Sequence, residues 1–245
     1  AGGVLAGLAA GSAVIFKPAT ITARTGALIA EIMWDAGVPK EVLKLVKVVD
    51  RAAGKLLISH PEVDRLILTG GYETAELFRS WRDDLPLFGE TSGKNSIIVT
   101  PNADIDLAVK DVVYSAFGHA GQKCSAGSTV ILVGSVAQSE RFRRQLLDSV
   151  SSLHVAHPQD IESEMGPVVQ KPEEKLLRGL TTLGPGERWL VQPKELDDTG
   201  RLWSPGVREG VKPGSEYHMT EYFGPILGIM TADTLEEAIE LQNAP

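Results

Sequence analysis

Short apolar runs and helical stripes alternate along the first third of the chain. Apolar residues cluster over 13–16, 45–49, 65–69 and 85–89, each run closed by Gly, Pro or charged residues, which predicts four strands, the first of them buried. Between them, apolar positions recur at helical spacing over 22–36, 52–59 and 73–82. The first of these helices meets stop signals in Gly37 and Pro39. The small, apolar opening 2–12 has no basic start, so it reads as a helix feeding the first strand rather than as a signal peptide. Strands alternating with helices predict a parallel sheet with helices on its faces, an α/β class.

The pattern changes after Gly93-Lys94-Asn95, and a boundary near Ser92 divides the chain into 1–92 and 93–245. In the second part, strands are predicted over 96–99, 129–133 and 226–231, and helices over 104–117, 139–153, 172–183 and 235–242. Leu146, Leu147, Val150 and Leu153 form a core-facing stripe. A loop of small residues fills 118–127, and 184–214, rich in Gly, Pro and Asp, reads as irregular structure with an edge hairpin. Both ends read as cut from a longer protein.

Composition narrows the function classes. With 43% hydrophobic and 23% charged residues, the 245-residue chain is ordinary globular material rather than disordered. A formal net charge of −8 argues against a nucleic-acid partner, which needs clustered Lys and Arg. The single cysteine excludes an intrachain disulfide and a Cys-rich metal site, and such usage fits a reducing compartment. His60, His119, His154, His157 and His218 show no metal-ligand spacing, so no metal is expected. No apolar run has the length of a membrane span.

Five segments could carry chemistry. Cys124 lies in Gly118-His119-Ala120-Gly121-Gln122-Lys123-Cys124-Ser125-Ala126-Gly127, between a helix end and a strand start. A lone cysteine is ordinarily a small buried packing residue. Here the glycines let the backbone approach a ligand, Lys123 favours thiolate, and free N–H groups could hold an oxyanion. Glu90, in Gly89-Glu90-Thr91-Ser92-Gly93-Lys94-Asn95, is either a solvated strand-end carboxylate or a general base at the carboxyl edge of a parallel sheet. Lys17 ends the first strand, and Thr69-Gly70-Gly71 ends another and opens a helix whose N-terminus could receive a pyrophosphate. The G-x-G-x-x-G fingerprint is absent. Glu221-Tyr222-Phe223-Gly224-Pro225 joins a carboxylate and an aromatic to a turn.

Taken together, Phe16-Lys17-Pro18-Ala19, Leu68-Thr69-Gly70-Gly71, Glu90 with its Thr-Ser-Gly-Lys, Cys124 within Gly-Gln-Lys-Cys-Ser-Ala-Gly, and Glu221 within Glu-Tyr-Phe-Gly-Pro stand in the order and spacing of the aldehyde dehydrogenase superfamily. The chain resembles that family along essentially its whole length. The wording around Glu90 and over 115–126 is most similar to its proline-catabolic branch, Δ1-pyrroline-5-carboxylate dehydrogenase, in particular the dehydrogenase module of bifunctional proline utilization A proteins.

The resemblance implies an aldehyde-dehydrogenase-like fold, with a parallel-sheet NAD-binding domain over 1–92 lacking its first strand and a catalytic thiol domain over 93–245 lacking its carboxyl part. It implies NAD-dependent oxidation of glutamate semialdehyde to glutamate, with NAD ahead of NADP. Cys124 would form a thiohemiacetal and then a thioester, and Glu90 would activate the hydrolytic water. Lys17 would hold the adenosine ribose, Thr69, Gly70 and Gly71 would line the pyrophosphate, Glu221 would hold the nicotinamide ribose, and Phe223 would pack near the nicotinamide. Phe117 and Ser125 would line the aldehyde pocket. The implied partners are the aldehyde and the rest of a parent chain, with a proline dehydrogenase domain where that parent is bifunctional. Homo-oligomerisation is expected of the intact protein, in the cytoplasm or at the inner face of the membrane.

Departures from the family are visible as well. Thr20 replaces a common ribose-binding Glu, Gly71 stands where Ser is frequent, and the Asn that supplies half of the oxyanion hole has no counterpart. One missing donor costs about a hundredfold to a thousandfold in rate, so the isolated chain is expected to be nearly inactive. Three alternatives stay open: a thioesterase or acyltransferase using Cys124, a non-catalytic assembly module, and an aldehyde dehydrogenase of another substrate class.

Overall fold

A computed structural model describes residues 2–48 and 50–245, which divide into two compact units, Ala1–Ser92 and Gly93–Pro245. Unit one runs α1 (Gly2–Ala9), β1 (Val14–Phe16), α2 (Ala23–Asp35), β2 (Leu43–Leu45), α3 (Arg51–Ile58), β3 (Leu66–Thr69), α4 (Tyr72–Trp81) and β4 (Leu87–Glu90). Its strands form two parallel pairs, β1 with β2 and β3 with β4. The strand expected over 45–49 is displaced: β2 begins at Leu43 and ends at Leu45, and Val49 lies outside the described residues.

The first strand departs from its expected burial. Among the described residues β1 pairs with β2 alone, and Ile15 remains 49% exposed. A strand in a two-stranded sheet covers one face at most, so alternate side chains stay in solvent. The same alternation exposes Ile67 on β3 and Phe88 on β4, while Leu66, Leu68 and Leu87 turn inward.

Unit two is built on one five-stranded sheet. Its elements are β5 (Ser96–Val99), α5 (Ile105–Phe117), β6 (Thr129–Val133), α6 (Glu140–Ser152), α7 (Glu174–Thr181), β7 (Arg188–Val191), β8 (Gly206–Glu209), α8 (Glu216–Met219), β9 (Ile226–Ala232) and α9 (Leu235–Asn243). The strand order is β5-β6-β9-β8-β7, parallel except for the antiparallel edge strand β7. All five residues of β6 are buried, as a strand covered on both faces requires. Helix α5 turns Val109, Val112, Val113, Ala116 and Phe117 into the core, spacings that share one helical face.

The hairpin expected over 184–214 is half right. Strand β7 is an edge, but β8 lies inside the sheet between β7 and β9. Arg208 of β8 is 1% exposed, and it tolerates burial because Glu187 pairs with its Nη1 at 2.8 Å while Trp189 and Tyr217 stack on its guanidinium. Helix α7 is shorter than the expected 172–183, because Glu173 and Thr182 are extended at its two caps.

Candidate functional site

In unit one the predicted cofactor residues gather at the carboxyl ends of strands. Lys17 follows β1 directly and is exposed. Strands β3 and β4 end in register, Thr69 beside Glu90, and the Gly70 N–H donates to the Glu90 carbonyl at 3.1 Å. Gly71 is the N-cap of α4 and offers no side chain to its first turn. The chain beyond Glu90 folds over that turn, where Ser92 Oγ accepts from the Tyr72 N–H at 3.3 Å. An exposed carboxylate therefore stands beside a helix N-terminus whose N-cap glycine supplies no side chain and whose first N–H is taken by Ser92. The partial positive charge of such an end suits a phosphate group. These residues fit the pyrophosphate of a dinucleotide: two glycines keep the approach open, and Lys17 and Thr69 are exposed.

Unit two builds its candidate site at the opposite kind of edge. Three loops lie just before the amino ends of parallel strands: Gly93-Lys94-Asn95 before β5, the cysteine loop before β6, and Glu221-Tyr222-Phe223-Gly224-Pro225 before β9. Cys124 and Ser125 are exposed, which excludes the buried-packing reading of the cysteine. Among the described residues no acceptor meets the Cys124 N–H, so that donor is free for a ligand oxygen.

The loops hold one another through a few long-range bonds. The Asn95 side-chain amide donates to the carbonyls of Cys124 and Ala126, at 2.6 and 3.1 Å. The Gln122 amide donates to the Phe223 carbonyl at 3.0 Å, and its Oε1 accepts from the Val169 N–H at 2.8 Å. Ser115 Oγ accepts from the Gly127 N–H at 3.0 Å. Gly121, at φ +66°, lies so close to Gly224 that any Cβ would overlap the Gly224 carbonyl. His119 and Ala120 precede it at φ 52° and 55°, and Phe223 sits at φ 56°. Left-handed backbone at non-glycine residues is costly and persists where surrounding packing fixes it. Glu221 is half-buried, and Phe223 is 40% exposed.

Lys94 closes the floor of this region. Its side chain is buried, donates to the Thr220 carbonyl at 2.9 Å, and lies 3.7 Å from the centre of the Tyr217 ring and 5.5 Å from that of Tyr222. Burial, and then the Arg208 guanidinium, lower its pKa to about 7, against the attraction of Glu221 and Glu187. Burial likewise pushes the Tyr217 hydroxyl upward, and that hydroxyl donates to the carbonyls of Ser128 and Ile226 at 2.9 and 3.0 Å. The cavity among Lys94, Gly121, Lys123, Glu221 and Tyr222 has only ≈ 10 Å³ of free space, room for about one water.

The structure thus brings Cys124, Ser125, Glu221 and Phe223 onto interlocked loops of unit two, and Thr69, Gly70, Gly71 and Glu90 onto one strand-end cluster of unit one. Phe117 requires a correction. It is 1% exposed and belongs to the core face of α5, so its ring packs the interior instead of walling an open pocket. Lys94, Asn95 and Gln122 were not singled out from the sequence, since each looks like an ordinary polar loop residue until its distant partner is known. Among the described residues there is no His, Cys, Asp and Glu cluster suited to a metal, and no helix is long and apolar enough to cross a membrane.

Comparison with known proteins extends these observations. A sequence model described as the aldehyde dehydrogenase family matches residues 1–245. A protein from Halalkalibacterium halodurans named 1-pyrroline-5-carboxylate dehydrogenase 1 is 30% identical over 251 aligned residues, covering 99% of this chain and 48% of its own length. Among solved structures, Proline Utilization A from Corynebacterium freiburgense superposes with a TM-score of 0.93 at 53% identity, over 99% of this chain and 25% of that one. An NADP-dependent glyceraldehyde-3-phosphate dehydrogenase from Bacillus halodurans, solved with NADP, gives a TM-score of 0.83 at 31% identity over 94% of this chain and 48% of that one. The chain spans about half the length of the curated relatives it matches.

Proposed function

This chain belongs to the aldehyde dehydrogenase family, and from that premise we propose that it is the dinucleotide- and thiol-bearing segment of a longer enzyme that oxidises glutamate semialdehyde, the hydrolysed form of pyrroline-5-carboxylate, to glutamate. The observation that carries the reading is an exposed Cys124 with a free N–H, on a loop tied to the Glu221 turn through Gln122 and the Gly121–Gly224 contact. The named relatives support the substrate class.

In this reading Cys124 attacks the aldehyde carbon as thiolate, forming a thiohemiacetal whose oxyanion takes a hydrogen bond from the Cys124 N–H. A bound nicotinamide dinucleotide supplies the hydride acceptor. The resulting thioester on Cys124 is hydrolysed by water that gives its proton to Glu90. Lys17 and Glu221 hold ribose hydroxyls, the Gly70-Gly71 turn receives the pyrophosphate, and the exposed Phe223 ring flanks the nicotinamide. NAD is the proposed cofactor over NADP. The parent carries further domains, among them a proline dehydrogenase domain where it is bifunctional. The isolated chain turns over slowly or not at all, because one oxyanion donor of the family has no counterpart in it.

The test is NADH formation from glutamate semialdehyde by the parent protein and by its Cys124→Ala variant. The expected result is activity in the parent and a loss of about a thousandfold or more in the variant. Activity retained without the thiol overturns the mechanism. Propanal or succinate semialdehyde turned over faster than glutamate semialdehyde overturns the substrate assignment.

A further inference from the structure

We propose that Lys94 is the positioning residue of the nicotinamide-ribose loop: seated on the Tyr217 ring and bonded to the Thr220 carbonyl, it fixes the backbone from which Glu221 and Phe223 project. The inference rests on the reading that Glu221 binds the dinucleotide. Lys94 starts the path into β5, and Thr220 lies 126 residues further on, so this hydrogen bond joins two loops far apart in the sequence.

The seat is purpose-shaped. Gly228 of β9 leaves the space that the Tyr217 ring occupies, since a Cβ there would overlap the ring. The Tyr217 hydroxyl is anchored on two carbonyls, and Tyr222 stacks on Tyr217 with ring centres 5.4 Å apart. Two aromatic faces thus receive the Lys94 ammonium, and their attraction offsets part of the cost of burying its charge. The ring belonging to Tyr222 is in the Glu221 loop itself, so the ammonium grips that loop twice, once through the Thr220 carbonyl and once through Tyr222. On the far side of the loop, the Gln122 bond to the Phe223 carbonyl provides a second fastening.

The charged and titratable groups facing Lys94 are Arg208 of β8, Glu187 ahead of β7, Tyr217 of α8, and Glu221 and Tyr222 of the loop, with Lys123 lining the same cavity. Glu216 holds the Tyr222 hydroxyl from outside at 3.2 Å. With its pKa lowered to about 7, Lys94 carries its charge below that pH and loses it as pH rises through the value. The neutral amine still donates to Thr220, but its attraction to the rings goes. The grip on the loop therefore weakens from about pH 7 upward, and dinucleotide affinity falls with it.

The experiment uses the parent protein, unmodified and as Lys94→Met, Lys94→Arg and Glu221→Gln variants. It measures NADH binding by fluorescence and KM for NAD and kcat from pH 6 to 9. The expected result is that Lys94→Met raises the NADH Kd and the KM for NAD by about tenfold, with kcat changed much less, a loss of about one charge-assisted hydrogen bond. Lys94→Arg recovers most of the affinity. In the unmodified protein Kd climbs as pH passes about 7, and in Lys94→Met it does not. Equal affinity in Lys94→Met, or a loss confined to kcat, overturns the positioning role while Glu221→Gln still weakens binding. An unaltered Kd in Glu221→Gln overturns the ribose-binding reading and the positioning role together. Should Lys94→Met fail to fold, Lys94→Gln takes its place, and an unchanged NADH Kd in that variant overturns the proposal.

Discussion

Gly121 closes a run of three left-handed residues, and the consequence is a strict demand on one side chain. An alanine there would need both a costly backbone conformation and the space of the Gly224 carbonyl. Gly121→Ala is expected to destabilise the protein by about 2–5 kcal/mol, through backbone strain and overpacking, and to loosen the Glu221 turn. Chemical denaturation measures it; a midpoint unchanged from the parent contradicts the close approach. At this scale the sequence is legible where a candidate sits at an element boundary. Cys124 and Glu90 stand between glycines and strand ends, so their neighbours mark them as candidates. Asn95, Gln122 and Lys94 have no such local signature. Their partners lie 29, 101 and 126 residues away, and one chain read alone carries no signal for pairings of that reach.

Helix α5 shows what is readable at the scale of an element. Asp104 precedes an apolar stripe, and its Oδ1 accepts from the N–H groups of Asp106 and Leu107 at 3.0 and 3.1 Å. A carboxylate cap of this kind is worth about 1 kcal/mol, so Asp104→Ala is expected to lower stability by about that amount while leaving kcat unchanged. A loss near zero in equilibrium unfolding would show that the cap is idle. The same helix explains the misreading of Phe117. Adjacency to the cysteine loop suggests a pocket wall, but the ring completes the core stripe begun by Val109. At β8, Arg208 gives Gly206–Glu209 the look of a surface strand, although the strand lies inside the sheet. A charged residue hides a buried strand whenever its counter-ion comes from elsewhere, here Glu187.

Over the whole molecule, the α/β class follows from the alternation of patterns, whereas the exposure of the first unit does not. Ile15, Ile67, Phe88 and Leu56 are 49%, 52%, 57% and 73% exposed. Apolar surface of this kind favours association. The 245-residue chain by itself is expected to enhance the fluorescence of an apolar dye such as ANS and to self-associate at micromolar concentration. A dye-silent monomer by light scattering contradicts this. The parallel pairing of β6 with β9 has a separate consequence, one that concerns the order of synthesis. Strand β6 is made long before β9, the neighbour that completes its other side, and β8 also waits for β9 before it can join the sheet. Contacts so distant in sequence form slowly because loop closure must come first. On the ribosome, the cysteine loop therefore emerges early with its ties to Asn95 and Ser115 within reach, while its fastening to Phe223 waits for the segment that leads into β9.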